Sequence, residues 1–140
     1  MHEAPAPVTT ITNERLQAHR ATLLRFSEAW ARGDVEGLLE LMNAHPVYRS
    51  SSGPGPGACF EGRDAVRAAF ERMLAPQKTT TTGAPPPPQM YFFEDRALVY
   101  WHLTLAGTDG KACEVDGVDV ITFDDDGKIA MKDAYRKAFS

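Results

Sequence analysis

The run ALVYWHLTLAG, then TDGKA, then CEVDGVDVITF constrains this chain more than any other feature. Two long stretches rich in β-branched and aromatic residues flank Asp109 and Gly110, a pair that suits the positive φ of a tight hairpin. A hairpin alone is marginal in water, so it needs further strands and a cover. QMYFF precedes it across a turn at Glu94 to Arg96, and KIAMKDAYRKAF follows it across DDDG, which predicts a four-stranded antiparallel meander.

The first half supplies the cover. From Asn13, read as an N-cap, NERLQAHRATLLRFSEAWARGD sets Leu16, Leu23, Leu24, Phe26 and Trp30 near one helical stripe and ends at Gly33. Asp34 caps a second helix, VEGLLELM, which stops before Pro46. Val47 to Ser50 is a short strand candidate, and SSGPGPGACFEG is a loop. RDAVRAAFERMLA predicts a third helix ending before Pro76; Thr79 to Thr82 reads as extended and GAPPPP as a stiff connector. Helices first and strands afterwards make an α+β domain. Residues 1–12 read as a flexible tail and 13–140 as one domain, the size that 140 residues allow.

Charge and composition narrow the partners. A formal charge of -4 leaves no basic footprint for nucleic acid or an anionic membrane, and no apolar run is long enough to cross a bilayer. Cys59 and Cys113 make no disulfide framework, and MHEAPAPVTT is no secretory signal, so a cytoplasmic protein is expected.

The hairpin turn also sets an expected register. If Asp109 and Gly110 alone form the loop, Tyr100 lies opposite Asp119, and Tyr100, His102, Thr104 and Asp119 share one face. Trp101, Leu103, Val118 and Val120 then form the other face, which three helices on one side cannot also cover. That face is expected to be buried in a homodimer. FDDDGK leaves the last strand open: two or four loop residues bring Lys132, Ala134 and Arg136 beside Asp119, whereas three bring Asp133 and Tyr135.

Among the acids, Asp124 to Asp126 read as a solvated turn, because a calcium loop starting at Thr122 would lack its first ligand and the flanking helices. The four histidines show no zinc spacing, so neither a metal nor a cofactor is expected. Asp119 differs, since Val118, Val120 and Ile121 surround it, and a buried carboxylate needs a partner or a purpose. It either hydrogen-bonds Tyr100 or Lys132 structurally, or serves with His102 in acid/base chemistry.

DGKACEVDGVDVITFDDDGKIAMKDAYRK resembles the C-terminal part of bacterial ketosteroid isomerases, and FSEAWARGDVEGLLELM and FEGRDAVRAAF extend the likeness over most of the chain. The wider group is the nuclear transport factor two-like superfamily, with SnoaL-like polyketide cyclases and limonene epoxide hydrolases. The resemblance implies a cone-shaped sheet around helices, an apolar pocket and commonly a homodimer. Asp119 matches the aspartic acid that donates to the enolate in that isomerase. Phe26 stands where the family has a hydroxyl-bearing tyrosine, and Ser50 where it has the proton-moving aspartate, so weak or absent isomerase activity is implied. The expected ligand is a small apolar organic molecule, with Phe26, Trp30, Ser50, Phe70, Tyr100, Thr104 and Lys132 lining its pocket. The chemistry, if any, is that of an isomerase, cyclase or dehydratase with Asp119 and His102 as catalytic groups; the alternative is a non-catalytic binding domain.

Overall fold

The computed structural model describes residues 12–80, 88–106 and 109–138. Most of the expected tail, and most of the GAPPPP connector, lie outside the described residues. The chain runs α1 (Asn13–Arg32), α2 (Val35–Glu40), β1 (Met42–Arg49), β2 (Cys59–Glu61), α3 (Arg63–Thr80), β3 (Gln89–Phe93), β4 (Arg96–Ala106), β5 (Ala112–Phe123) and β6 (Ile129–Ala138). It is an α+β fold in which a curved mixed sheet wraps around three N-terminal helices.

Capping fixes the helix ends. Thr12, rather than Asn13, is the N-cap of α1 and accepts from the Arg15 backbone N–H at 3.2 Å. Gly33 ends α1 at φ 71, a left-handed conformation that glycine adopts without a Cβ penalty. Asp34 then accepts from Gly37 N–H at 3.0 Å to start α2. The buried stripe of α1 is His19, Leu23, Phe26 and Ala29. Leu24, expected on that stripe, is exposed because it lies about 100° round the helix from Leu23.

Two strands are longer or newer than the sequence reading predicts. β1 begins at Met42, and Pro46 fits inside it because the β1–β6 register is irregular between Met42 and Val47. β2 forms within the segment read as loop and pairs with β1, Val47 facing Glu61. α3 passes Pro76 and reaches Thr80, so the segment from Thr79 is not extended there. Buried Val66, Ala69, Phe70 and Leu74 hold the preceding turns and offset what the proline costs the helix. None of the described helices is long and apolar enough to cross a membrane.

The sheet order is β2-β1-β6-β5-β4-β3, with β1 parallel to β6 and the other pairs antiparallel. The four-stranded meander is therefore present, with β1 added to its last strand. Its central register corrects the expectation: Ala106 faces Ala112, Val99 faces Asp119, and Tyr100 faces Val118. A slip of one residue exchanges the faces. The slip matches apolar residues with apolar residues, pairing Leu103 with Val115 and Ala97 with Ile121 on the helix side, and hydrophobic burial outweighs the turn signal. Trp101 and Leu103 consequently lie on the inner face, and only Val118 and Val120 remain on the outer one.

The last hairpin resolves its alternatives by a bulge. Asp124 N–H donates to Lys128 C=O at 2.8 Å around Asp125, Asp126 and Gly127, the three-residue loop that would put Asp133 beside Asp119. Phe123 pairs with Ile129 but Thr122 pairs with Met131, so Ala130 is an extra residue that restores the other parity. Ala134 faces Asp119, and Lys132 shares its face. Asp124 Oδ1 accepts from the N–H groups of Asp126 and Lys128, each at 2.9 Å, so the Asp124 carboxylate is spent on the turn.

Candidate functional site

Strand alternation and helix periodicity bring five elements to one place on the inner face. β5 supplies Asp119 and β6 supplies Lys132, while β1 contributes Tyr48 and Ser50 follows directly on its end, both buried. The parallel register sets Tyr48 beside Lys132. α1 adds Phe26 and Trp30, and α3 adds Phe70.

The centre of this group is an ion pair. Lys132 Nζ donates to Asp119 Oδ2 at 2.6 Å, with the two residues 5% and 8% exposed. Lysine and aspartate are almost never this buried unless paired. The Lys132 ammonium also lies 4.5 Å from the centre of the Trp30 ring and 6.0 Å from that of Tyr48, within range of both ring faces. Phe70 packs edge-on to Trp30 at 5.3 Å and tilted to Tyr48 at 5.0 Å, and Phe26 lies 6.4 Å from each of Trp30 and Phe70. Asp119 Oδ1 is buried without a hydrogen-bond partner. An orphaned carboxylate oxygen in apolar surroundings costs free energy that a donor on a ligand would recover.

The two hydroxyls beside the pair are already engaged. Tyr48 O–H donates to the Met73 sulfur at 2.9 Å, and burial, opposed by a hydrogen bond with Ser50, pushes its phenol up to about 12. Tyr48 therefore stays protonated across the physiological range. Ser50 Oγ lies 3.2 Å from Ser52 Oγ and accepts from Ser52 N–H at 3.2 Å. A groove of about 290 Å³, bordered by Ser52, Phe60, Arg72 and Met73, reaches Tyr48 and Ser50 from outside.

The remaining sequence-predicted residues lie elsewhere. Tyr100, His102 and Thr104 are on the outer face, a consequence of the one-residue register shift, so the structure does not bring His102 to Asp119. His102 Nδ1 instead lies 2.6 Å from Asp116 Oδ1, and Nε2 lies 3.7 Å from Glu114 Oε1. The Asp116 hydrogen bond raises the imidazole above its ordinary value, against a smaller opposing effect of desolvation. Sequence reasoning also overlooked Tyr48 and put Trp101 on the outer face. Tyr48 precedes Ser50 by two in a strand, a signal that was available. Trp101 faces Gly117, where a Cβ would overlap its ring, and a large residue opposite a glycine is the mark of that pairing.

Chemically, the site offers an ammonium donor, a carboxylate acceptor and aromatic walls. Among the described residues, no group of three or more His, Cys, Asp or Glu side chains is placed to hold a metal ion.

The model of the SnoaL-like domain matches residues 23–131. No curated protein matches the chain. Among solved structures, an NTF2-like protein of unknown function from Mesorhizobium loti is 22% identical, with a TM-score of 0.70 over 93% of this chain and 99% of that one. A putative isomerase from Bacillus subtilis is 17% identical, with a TM-score of 0.68 over 88% of each chain. SalBIII, an epoxide hydrolase/cyclase-like enzyme of pyran ring formation in the polyether salinomycin, is 18% identical, with a TM-score of 0.66 over 87% of this chain and 92% of that one.

Proposed function

Because the chain belongs to the SnoaL-like domain family, we propose that it binds a small, largely apolar, cyclic organic molecule on the inner sheet face and acts on it by acid/base chemistry. The observation that carries this reading is the buried Asp119 and Lys132 pair, with Asp119 Oδ1 left unpartnered and the Lys132 ammonium against the Trp30 and Tyr48 rings. A ligand hydroxyl would donate to Oδ1, and a ligand carbonyl would accept from Lys132. The names of the Bacillus subtilis isomerase and of SalBIII support such chemistry by analogy of fold only.

Ketosteroid isomerisation itself is not expected. Phe26 has no hydroxyl, Ser50 is no base at ordinary pH, and Asp119 accepts from Lys132 where the isomerase needs a carboxyl that donates. His102 is dropped from the proposed catalytic set. The engagement of Ser50 with Ser52 favours a second reading, in which the same face binds a ligand without turning it over.

Tryptophan fluorescence and thermal shift against a panel of cyclic ketones, lactones and phenols test both readings. Binding should weaken about tenfold or more in Asp119→Asn, the loss of one hydrogen bond to a charged group, and turnover of a bound ketone should depend on Lys132. Binding that is indifferent to both residues would place the ligand elsewhere and overturn the proposal.

The homodimer is proposed on a corrected face. Tyr91, Phe93, Tyr100 and Tyr135 are exposed on the outer side of the sheet, around Val118 and Val120. An apolar sheet face of this kind calls for a partner, and a second copy is the simplest. Sedimentation at micromolar concentration should give a dimer that Val118→Asp dissociates; a monomeric parent protein would refute it.

A further inference from the structure

A buried ion pair is poor evidence of a need for stability, because apolar residues of the same volume commonly do as well or better. The pair between Asp119 and Lys132 therefore invites a chemical explanation. Lys132 is buried, whereas Lys111, Lys128 and Lys137 are exposed. Buried amines in apolar pockets are the ones used as nucleophiles toward carbonyl compounds.

We propose that Lys132 forms a Schiff base, so that the site takes aldehydes or ketones and holds them covalently through Nζ while Asp119 moves the protons. This rests on the inner face being the ligand site. Asp119 takes a proton from the ammonium across their 2.6 Å contact and frees the nitrogen lone pair. That pair forms the C–N bond to the carbonyl carbon as the C=O π pair moves onto oxygen. The oxygen collects the proton from Asp119. A second nitrogen proton then passes through Asp119 to the same oxygen, the C–O bond breaks with its electrons, and water leaves as C=N forms. An ammonium and a carbonyl have become a protonated imine and water, with no change of charge or oxidation state.

Three features of the site favour this course. The product iminium carries the same single positive charge as the ammonium, so Asp119 is never left as an unpaired buried anion. The Trp30 face at 4.5 Å attracts either cation. Oδ1, which lacks a partner, gives the carboxylate a second oxygen with which to pass a proton while Oδ2 faces the nitrogen. The pair is not fully sealed, its side-chain exposures being 7% for Lys132 and 11% for Asp119.

The test is reductive trapping of the intact protein with benzaldehyde or cyclohexanone and cyanoborohydride, the added reductant, followed by peptide mass mapping. Lys132 should be alkylated at least about tenfold faster than exposed Lys111 and Lys137, and Asp119→Asn should slow it by about a hundredfold, the scale of general acid/base assistance. Mapping of the unsubstituted protein decides the matter even if that variant fails to fold. Binding of the same ketone without reductant is followed in parallel by tryptophan fluorescence. Alkylation that follows exposure and spares Lys132, with the ketone still bound, overturns the amine chemistry and leaves the ligand site standing. Absence of both alkylation at Lys132 and binding overturns the two together.

Discussion

Removing one partner of the buried pair should cost far more than removing both. At 2.6 Å and an effective dielectric of roughly 20, the gross attraction between Lys132 and Asp119 is about 6 kcal/mol. Desolvation of each ion takes back several kcal/mol, which leaves the pair near neutral in net terms. Lys132→Met strips the attraction and leaves the Asp119 carboxylate buried, with Oδ1 already unpartnered, so we expect a loss of about 3–5 kcal/mol. Asp119→Leu strands the ammonium and should cost about as much. The double variant Asp119→Leu with Lys132→Met restores an apolar interior and should lie within roughly 2 kcal/mol of the parent, or above it. Urea unfolding of the four proteins at pH 7, with ΔG from linear extrapolation, gives the coupling directly. Single losses below about 1 kcal/mol would mean that the pair behaves as an exposed salt bridge, and the reasoning about a dry, aromatic-walled site would fail.

Three further outcomes are expected. His19 is fully buried and stacked on Phe123 at 4.0 Å, and burial, helped by the nearby Arg15 charge, lowers its pKa below 6.5. The unfolded chain therefore binds more protons than the native one, and stability should fall as the pH drops below about 6.5 until the lower native pKa is reached; His19→Phe should flatten that slope in urea unfolding. Gly117→Ala should destabilise by about 1–3 kcal/mol and alter tryptophan emission, because its Cβ would displace the Trp101 ring; an unchanged Tm and spectrum would contradict the register. His102 should titrate above 6.5 by NMR and return toward that value in Asp116→Asn.

Much of this architecture was legible in short-range patterns. Spacings of three and four marked Leu23, Phe26, Phe70 and Leu74, and the alternation along 96–106 and 112–123 marked two paired strands. The Asp119 neighbourhood stood out because an acid sat between Val118 and Val120. What misled was the turn. Asp109 and Gly110 signalled a hairpin but not how many residues it spans, and the burial of Ala97, Val99, Val115 and Ile121 decided the register, moving His102 away from the site. The part that no local pattern could give was the β1–β6 pairing, which joins residues from opposite ends of the domain and brings Tyr48 over Lys132. The Ala130 bulge was equally hidden, since its parity effect depends on which face is covered.

That parallel pairing also has a consequence for the order of assembly. β3 to β6 are joined by short turns and can zip sequentially, whereas β1 must wait for α3 and the whole meander before β6 exists to receive it. The chain that has to be closed is most of the domain, and its entropy is spent before Tyr48 meets Lys132. Mutations in the β4–β5 hairpin should accordingly slow folding, while Tyr48→Phe should chiefly speed unfolding, with a φ-value near zero. The site would then be the last structure to form on folding and the first to open on unfolding, so its integrity reports on the completeness of the native state.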